Sequence, residues 1–153
     1  MAQGVPSSSP NDALHARNFT IEIDGTKIGQ FAEVSGMTSE VEVAEIKANT
    51  EDGQFIIKKV PGSPKPPTLT LKRGKDVSME LWKWHKAAID GDITGARKNG
   101  SVAIHDFTHK EVARWNFNNA WCTKLTTSAL KAGSNEIITE EATIVMEHFE
   151  RVK

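Results

Sequence analysis

At 153 residues the chain suits one domain, because a globule of this length buries roughly 70% of the surface its unfolded chain exposes. Hydrophobic residues at 38% and charged residues at 25% are ordinary globular usage, which excludes wholesale disorder, and no run approaches the ~20 apolar residues of a membrane-spanning helix. A net charge of -1 with both signs intermixed excludes the basic footprint that grips phosphate backbones.

Residues 1–17 hold Gly4, Pro6, Ser7, Ser8, Ser9 and Pro10, a composition that buries little, and are expected to be a flexible N-terminal arm ahead of one β domain over 18–153. The first residues lack the basic and apolar segments of a signal peptide, so synthesis in the cytoplasm is expected. From Asn18 the pattern alternates. Phe19, Ile21 and Ile23 point one way and Thr20, Glu22 and Asp24 the other, as in a half-buried strand. Asp24-Gly25 can supply the positive φ of a tight hairpin, so Lys27 to Val34 is predicted to return as the partner strand and stop near Ser35-Gly36.

Thr38 to Lys47 predicts a third strand, with Val41 and Val43 on one face and Glu40 and Glu42 on the other. After the polar turn Asn49-Thr50-Glu51-Asp52-Gly53, Phe55-Ile56-Ile57 starts another strand. Pro61, Pro64, Pro66 and Pro67 cannot donate to a ladder, so Gly62 to Pro67 reads as a stiff loop before a short strand, Leu69 to Leu71, with Thr68, Thr70 and Lys72 on its polar face.

One helix is predicted, from Asp76 or Val77 to Ile89, with Asp76 or Ser78 as cap and Gly91 as terminator. Met79, Trp82, Lys86 and Ile89 recur at helical spacing, and Leu81, Trp84, His85 and Ala88 broaden the apolar band, so the helix is expected to pack on a sheet and also to offer a face to a neighbour. Strands follow at Ser101 to Phe107 and Val112 to Trp121, joined by Thr108-His109-Lys110. A long last strand, Glu136 to Arg151, divides by parity: Ile138, Ala142, Ile144 and Met146 on the core side, Thr139, Glu141, Thr143 and Glu147 on the wet side. The fold class expected is mainly β: an antiparallel barrel or sandwich of about eight strands with one flanking α-helix.

Reactive motifs fail on their spacing. Asp90, Asp92 and Gly95 match the first, third and sixth positions of a calcium loop, but Ser101 stands where the bidentate Glu belongs. His105, Asp106 and His109 fall on a turn that scatters them, and His85 and His148 sit among apolar neighbours. Cys122 is alone, which excludes an internal disulfide, and reads as an inert, partly buried thiol. No dinucleotide fingerprint, phosphate loop or nucleophile elbow is present, so no catalytic residue, metal or cofactor is expected and assembly or recognition is the better reading.

Asn18-Phe19-Thr20-Ile21-Glu22-Ile23-Asp24-Gly25 followed by Gly29-Gln30-Phe31-Ala32-Glu33-Val34-Ser35-Gly36-Met37 resembles the opening hairpin of phage tail tube proteins. The resemblance continues through Val60-Pro61-Gly62, Leu69 to Gly74, Leu81-Trp82-Lys83-Trp84, Arg114 to Trp121, and Asn135 through Arg151, covering about residues 18–151. Cys122 departs from it, since many relatives carry proline after the tryptophan.

The resemblance implies an inner tube subunit of a contractile phage tail or injection system, similar in fold to type VI secretion tube proteins. It implies homo-hexameric rings stacked around a β-barrel lumen that passes cargo or DNA, with sheath, baseplate or hub, and tube-terminating cap proteins as partners. On that footing Glu40, Glu42, Glu141 and Glu147 are candidates to line the lumen. Asn49, Glu51, Asp52, Pro64, Pro66 and Pro67 are candidates for contacts between rings, and Trp82 and Trp84 for helix packing or an outer surface. The alternative is a β-barrel module binding a small ligand or carbohydrate, with Trp115, Phe117 and Trp121 as aromatic platforms.

Overall fold

The computed structural model of the chain describes residues 18–27, 31–74 and 79–153. The expectations for the N-terminal arm and for a helix cap at Asp76 or Ser78 lie outside the described residues. In chain order the elements are β1 (Phe19–Ile23), β2 (Thr26–Lys27), β3 (Glu33–Ser35), β4 (Glu40–Asn49), β5 (Phe55–Lys65), β6 (Thr68–Gly74), α1 (Glu80–Ile89), α2 (Ile93–Ala96), β7 (Lys98–His105), β8 (Glu111–Thr127), β9 (Thr139–Val145) and β10 (His148–Arg151).

The main sheet is antiparallel throughout, in the order β2-β1-β7-β8-β9-β6-β3, with β10 also on β8. Its spine is the 17-residue β8. One edge of β8 carries β7; the other carries β10 over Trp115 to Asn118 and β9 over Trp121 to Thr127. The mainly β, antiparallel class expected from the sequence is what the chain adopts, with a second short helix beside the first.

Alternation sets the core. Ile21 and Ile23 of β1, Leu69 and Leu71 of β6, Val102 of β7, and Ala142 and Ile144 of β9 meet Phe117, Ala120 and Cys122 of β8, with Leu81 and Trp84 of α1. Asp24 at φ 51 and Gly25 at φ 76 make the predicted tight turn into β2. In β8 the inward parity changes between Phe117 and Ala120. Asn119, at φ 51, takes up the extra residue, and its backbone N–H is satisfied by Asn99 Oδ1 at 3.1 Å.

The described return strand beside β1 is only Thr26–Lys27; Glu33–Ser35 pairs with β6 instead, placing half-buried Val34 opposite Leu71. There Val34 packs against the hydrophobic core. The predicted third strand lies two residues further on, at Glu40–Asn49. The last strand is broken at Met146-Glu147: Met146 turns into the core, and Glu147 keeps an amide bond to the Asn118 carbonyl while its side chain reaches Arg97. Ile138 precedes β9 and is exposed rather than core.

Helix α1 lays Leu81 and Trp84 against the sheet, and His85 Nδ1 donates to the Cys122 carbonyl at 3.0 Å. Of the broad band read on this helix, the stripe of Met79, Trp82, Lys86 and Ile89 looks outward. α1 ends at Asp90-Gly91, and the would-be calcium residue Asp92 caps α2 by accepting from Gly95 N at 3.0 Å. Asp106 closes the β7–β8 turn: its carboxylate takes bonds from Thr108 Oγ1 and from the N–H groups of Thr108 and Lys110. The Thr108 hydroxyl, then the Lys110 amide, holds its pKa below the ordinary value.

Candidate assembly interface

β4 and β5 form a two-stranded ribbon of their own, paired to no other strand among the described residues. A two-stranded ribbon is marginal in water by itself, yet this one is long and carries apolar side chains among the charges of both faces. One face carries Ala44, Ile46, Ala48, Ile56 and Val60; the other carries Val41, Val43, Phe55, Ile57, Pro61 and Pro64. Val43 is 63% exposed, Phe55 62% and Ile46 52%, so nothing among the described residues covers them. Such a surface marks a contact site. Its charges are largely acidic on β4, with Glu40, Glu42 and Glu45 beside Lys47, and basic on β5, with Lys58, Lys59 and Lys65; Glu45 and Lys59 pair at 3.9 Å.

The proline-rich stretch expected as a loop is mostly strand: Pro61 and Pro64 lie within β5, opposite Val43 and Val41. The reason is visible in the ladder. Thr50 N donates to Gln54 O at 2.8 Å across the turn, so counting outward by alternation puts the Val43–Pro61 rung in the class whose amide groups point away from the partner strand. Prolines there forfeit no ribbon hydrogen bond. Pro64, an odd step from Pro61, would face inward in an unbroken strand, but a bulge between Val41 and Val43 adds one residue on the β5 side and returns it to the outward class. Gly62 is needed at that point, since a Cβ there would come within 3.0 Å of the Glu42 carbonyl oxygen.

The candidate residues from the sequence are distributed as follows. Glu40 and Glu42 are exposed on β4, with Glu40 opposite Lys65. Asn49 ends β4, Glu51 and Asp52 form the exposed ribbon tip, and Pro66 and Pro67 link β5 to β6. Glu141 is exposed on β9 between Lys72 and Thr126. Glu147 is also exposed, but its carboxylate pairs with Arg97 at 3.4 Å and accepts from Asn119 Nδ2 at 2.7 Å. The four glutamates therefore sit on three separate segments, and one of them is already locally compensated.

The two tryptophans of α1 divide their roles. Trp84 is buried and its Nε1 donates to Ala96 O at 2.6 Å, fastening α1 to α2. Trp82 is exposed, edge-on to His85 with ring centroids 6.0 Å apart. The aromatic platform of a sugar site is not assembled: Phe117 is in the core, Trp115 lies under the Arg151 guanidinium at 5.4 Å, and Trp121 borders a separate shallow cleft of about 170 Å³ with Ala88, Ile93, Ala96 and Arg97. Burial pushes the Cys122 thiol up to about 11, which leaves it protonated and unreactive at neutral pH.

A sheet with one long spine strand and an uncovered ribbon defines a structural β subunit, of the kind that completes its packing against other chains. The chain belongs to the T4-like virus tail tube protein gp19 family, whose profile matches residues 15–150, and it is accordingly a structural inner-tube subunit. Comparison with curated protein sequences gives no match.

Among solved structures it is similar to a chain in the sheath–tube complex of an extracellular contractile injection system, PVC, in the extended state, at 23% identity and a TM-score of 0.72, covering 93% of each chain. It is also similar to a chain in the PVC sheath/tube terminator, at 22% identity and a TM-score of 0.74 over 95% of this chain and 100% of the other. A third likeness is to the anti-feeding prophage tube-terminating cap, at 20% identity and a TM-score of 0.73 over 99% and 98%. At these identities the likeness is one of fold.

Proposed function

We propose that copies of this chain associate side by side into hexameric rings that stack into a hollow tube, with a purely structural rather than catalytic role. The single observation that supports this reading is the β4–β5 ribbon, which is paired to no other strand among the described residues and exposes apolar side chains that neighbouring copies would cover. Burying one Val or Ile side chain is worth about 1.5–3 kcal/mol, so a handful per subunit is ample to drive association.

The partners that fit are a sheath around the tube, a baseplate or hub at one end and a terminating cap at the other. Chains of the same fold stand in a sheath–tube complex, a tube terminator, a cap and a baseplate. The assembled product would be a phage tail or a related injection particle, with cargo or DNA passing through without sequence-specific contact. Concentrated purified protein is expected to show rings or tubes by negative-stain microscopy, and a strict monomer at every concentration would refute the reading.

Glu141 is the acidic side chain proposed to line the lumen and repel polyanions or adhesive cargo, whereas Glu40 and Glu42 share the ribbon face of Ile46 that neighbouring copies would cover. Changing Glu141→Lys and Glu147→Lys together is expected to alter cargo loading or ejection while tubes still form, because both side chains are exposed and the Arg97–Glu147 pair, like other surface pairs, contributes about 0–1 kcal/mol. Tube counts by microscopy check the first half and cargo retention the second; loss of assembly would argue against a lumen position.

A further inference from the structure

We propose that the outer edge of β4 is where a second copy of this chain adds a strand, and that Pro61 and Pro64 close the corresponding stretch of β5, so that pairing between copies has one direction. The proposal rests on the tube reading above and specifies which edge of the ribbon is used.

The outward-pointing amides follow from the same rung count. On β4 they belong to Val41, Val43, Glu45, Lys47 and Asn49, and β4 contains no proline. On β5 they belong to Phe55, Ile57 and Lys59, but the next two outward positions are Pro61 and Pro64, which have no N–H to offer. One edge of the ribbon is therefore a complete ladder template, and the other is closed over the half nearest the main sheet. Proline on an edge strand is a device against unwanted pairing. Here the bulge with Gly62 brings the second proline to the same edge as the first. Placed without it, Pro64 would break the ribbon and leave the outer edge open.

The occupant is a strand of another copy for two reasons. The ribbon needs a third strand to be stable, and no other strand among the described residues of its own chain pairs with it. A contact that uses unlike surfaces on the two partners is head-to-tail, and such contacts close into rings when the rotation allows. Two equally open edges would permit the reverse pairing and sheets without end. The proline-closed edge removes that option.

A matched pair of substitutions on one rung provides the test. Glu45 and Lys59 face each other, both with outward amides, and each substitution removes the same 3.9 Å ion pair. Glu45→Pro deletes a donor from the β4 edge; Lys59→Pro deletes one from the β5 edge; neither deletes a hydrogen bond inside the ribbon. Sedimentation and negative-stain microscopy of the full chain should find the association constant between subunits reduced up to about tenfold in Glu45→Pro, the size of one interchain hydrogen bond per subunit, and close to wild type in Lys59→Pro.

Hydrogen exchange on the wild type gives a readout independent of any variant. The amides of Val41, Val43 and Glu45 should exchange quickly in the monomer and slowly in the assembled state, while that of Lys59 stays fast in both. Equal assembly of the two variants, preferential loss in Lys59→Pro, or protection of Lys59 in place of Glu45 would overturn the proposal while the tube reading stands. A wild-type chain that never leaves the monomer overturns both.

Discussion

Arg73→Met is expected to lower the unfolding free energy of the monomer by about 3–5 kcal/mol, the range found when one partner of a buried ion pair is removed. Arg73 and Glu140 face each other across the β6–β9 ladder, with Nε and Oε2 3.3 Å apart and side chains only 2% and 3% exposed. The guanidinium also lies 5.8 Å from the Phe31 ring centroid, which adds a cation–π contact. Removing the cation leaves a carboxylate in a place where water cannot solvate it. The double change Arg73→Met with Glu140→Leu takes both charges away and should regain most of the loss, since a well-packed apolar pair often equals a buried ionic one. Denaturant unfolding of the monomer checks both; a single substitution costing under about 1 kcal/mol would mean that water reaches the pair.

That pair also illustrates what the sequence could reveal. Along β6, Leu69, Leu71 and Arg73 share one parity, and along β9, Glu140, Ala142 and Ile144 share another, so alternation alone directs both charged residues inward. Their charge argued the opposite way, and only the three-dimensional pairing shows that each makes the other's burial tolerable. The inward sets Ile21 and Ile23, Leu69 and Leu71, and Ala142, Ile144 and Met146 were legible because a period of two needs no partner to be read.

What escaped depended on partners or on local irregularity. Val34 alternates weakly, and its pairing with Leu71 is decided across the sheet. Pro61 and Pro64 read as a loop because proline is poor in ladders, and the bulge that makes both harmless leaves no signal except Gly62 between them. The outward stripe of α1 had a helical period, but periodicity does not say which side the sheet lies on. Trp82 and Ile89 face out because Leu81 and Trp84 already fill the space against β8. In the ribbon the alternation was visible and its usual meaning failed: Val41 and Val43 were assigned a face without either face of the strand being covered in the single chain.

For the same reason the paired change Ile46→Ser and Val60→Ser is expected to abolish tube formation while leaving the monomer's stability within about 0.5 kcal/mol of wild type, as substitutions at exposed positions usually do. Ile46 lies opposite Lys58 and Val60 opposite Ala44, so the two are diagonal neighbours on one face of the ribbon, 52% and 41% exposed. In the lone subunit both already face water, and replacing them withdraws little. In an assembly that covers this face, each forfeits the burial of the part still open in the lone subunit, about half of the 1.5–3 kcal/mol for a whole side chain. The pair together would weaken each subunit contact by about 1.5–3 kcal/mol, a factor of roughly ten to a hundred in the association constant. Denaturation of dilute protein measures the first half and the concentration threshold for rings or tubes the second. A monomer that unfolds easily would place these side chains in the subunit's own core, and tubes forming at the wild-type threshold would show that this face stays wet in the assembly and that other surfaces hold the copies together.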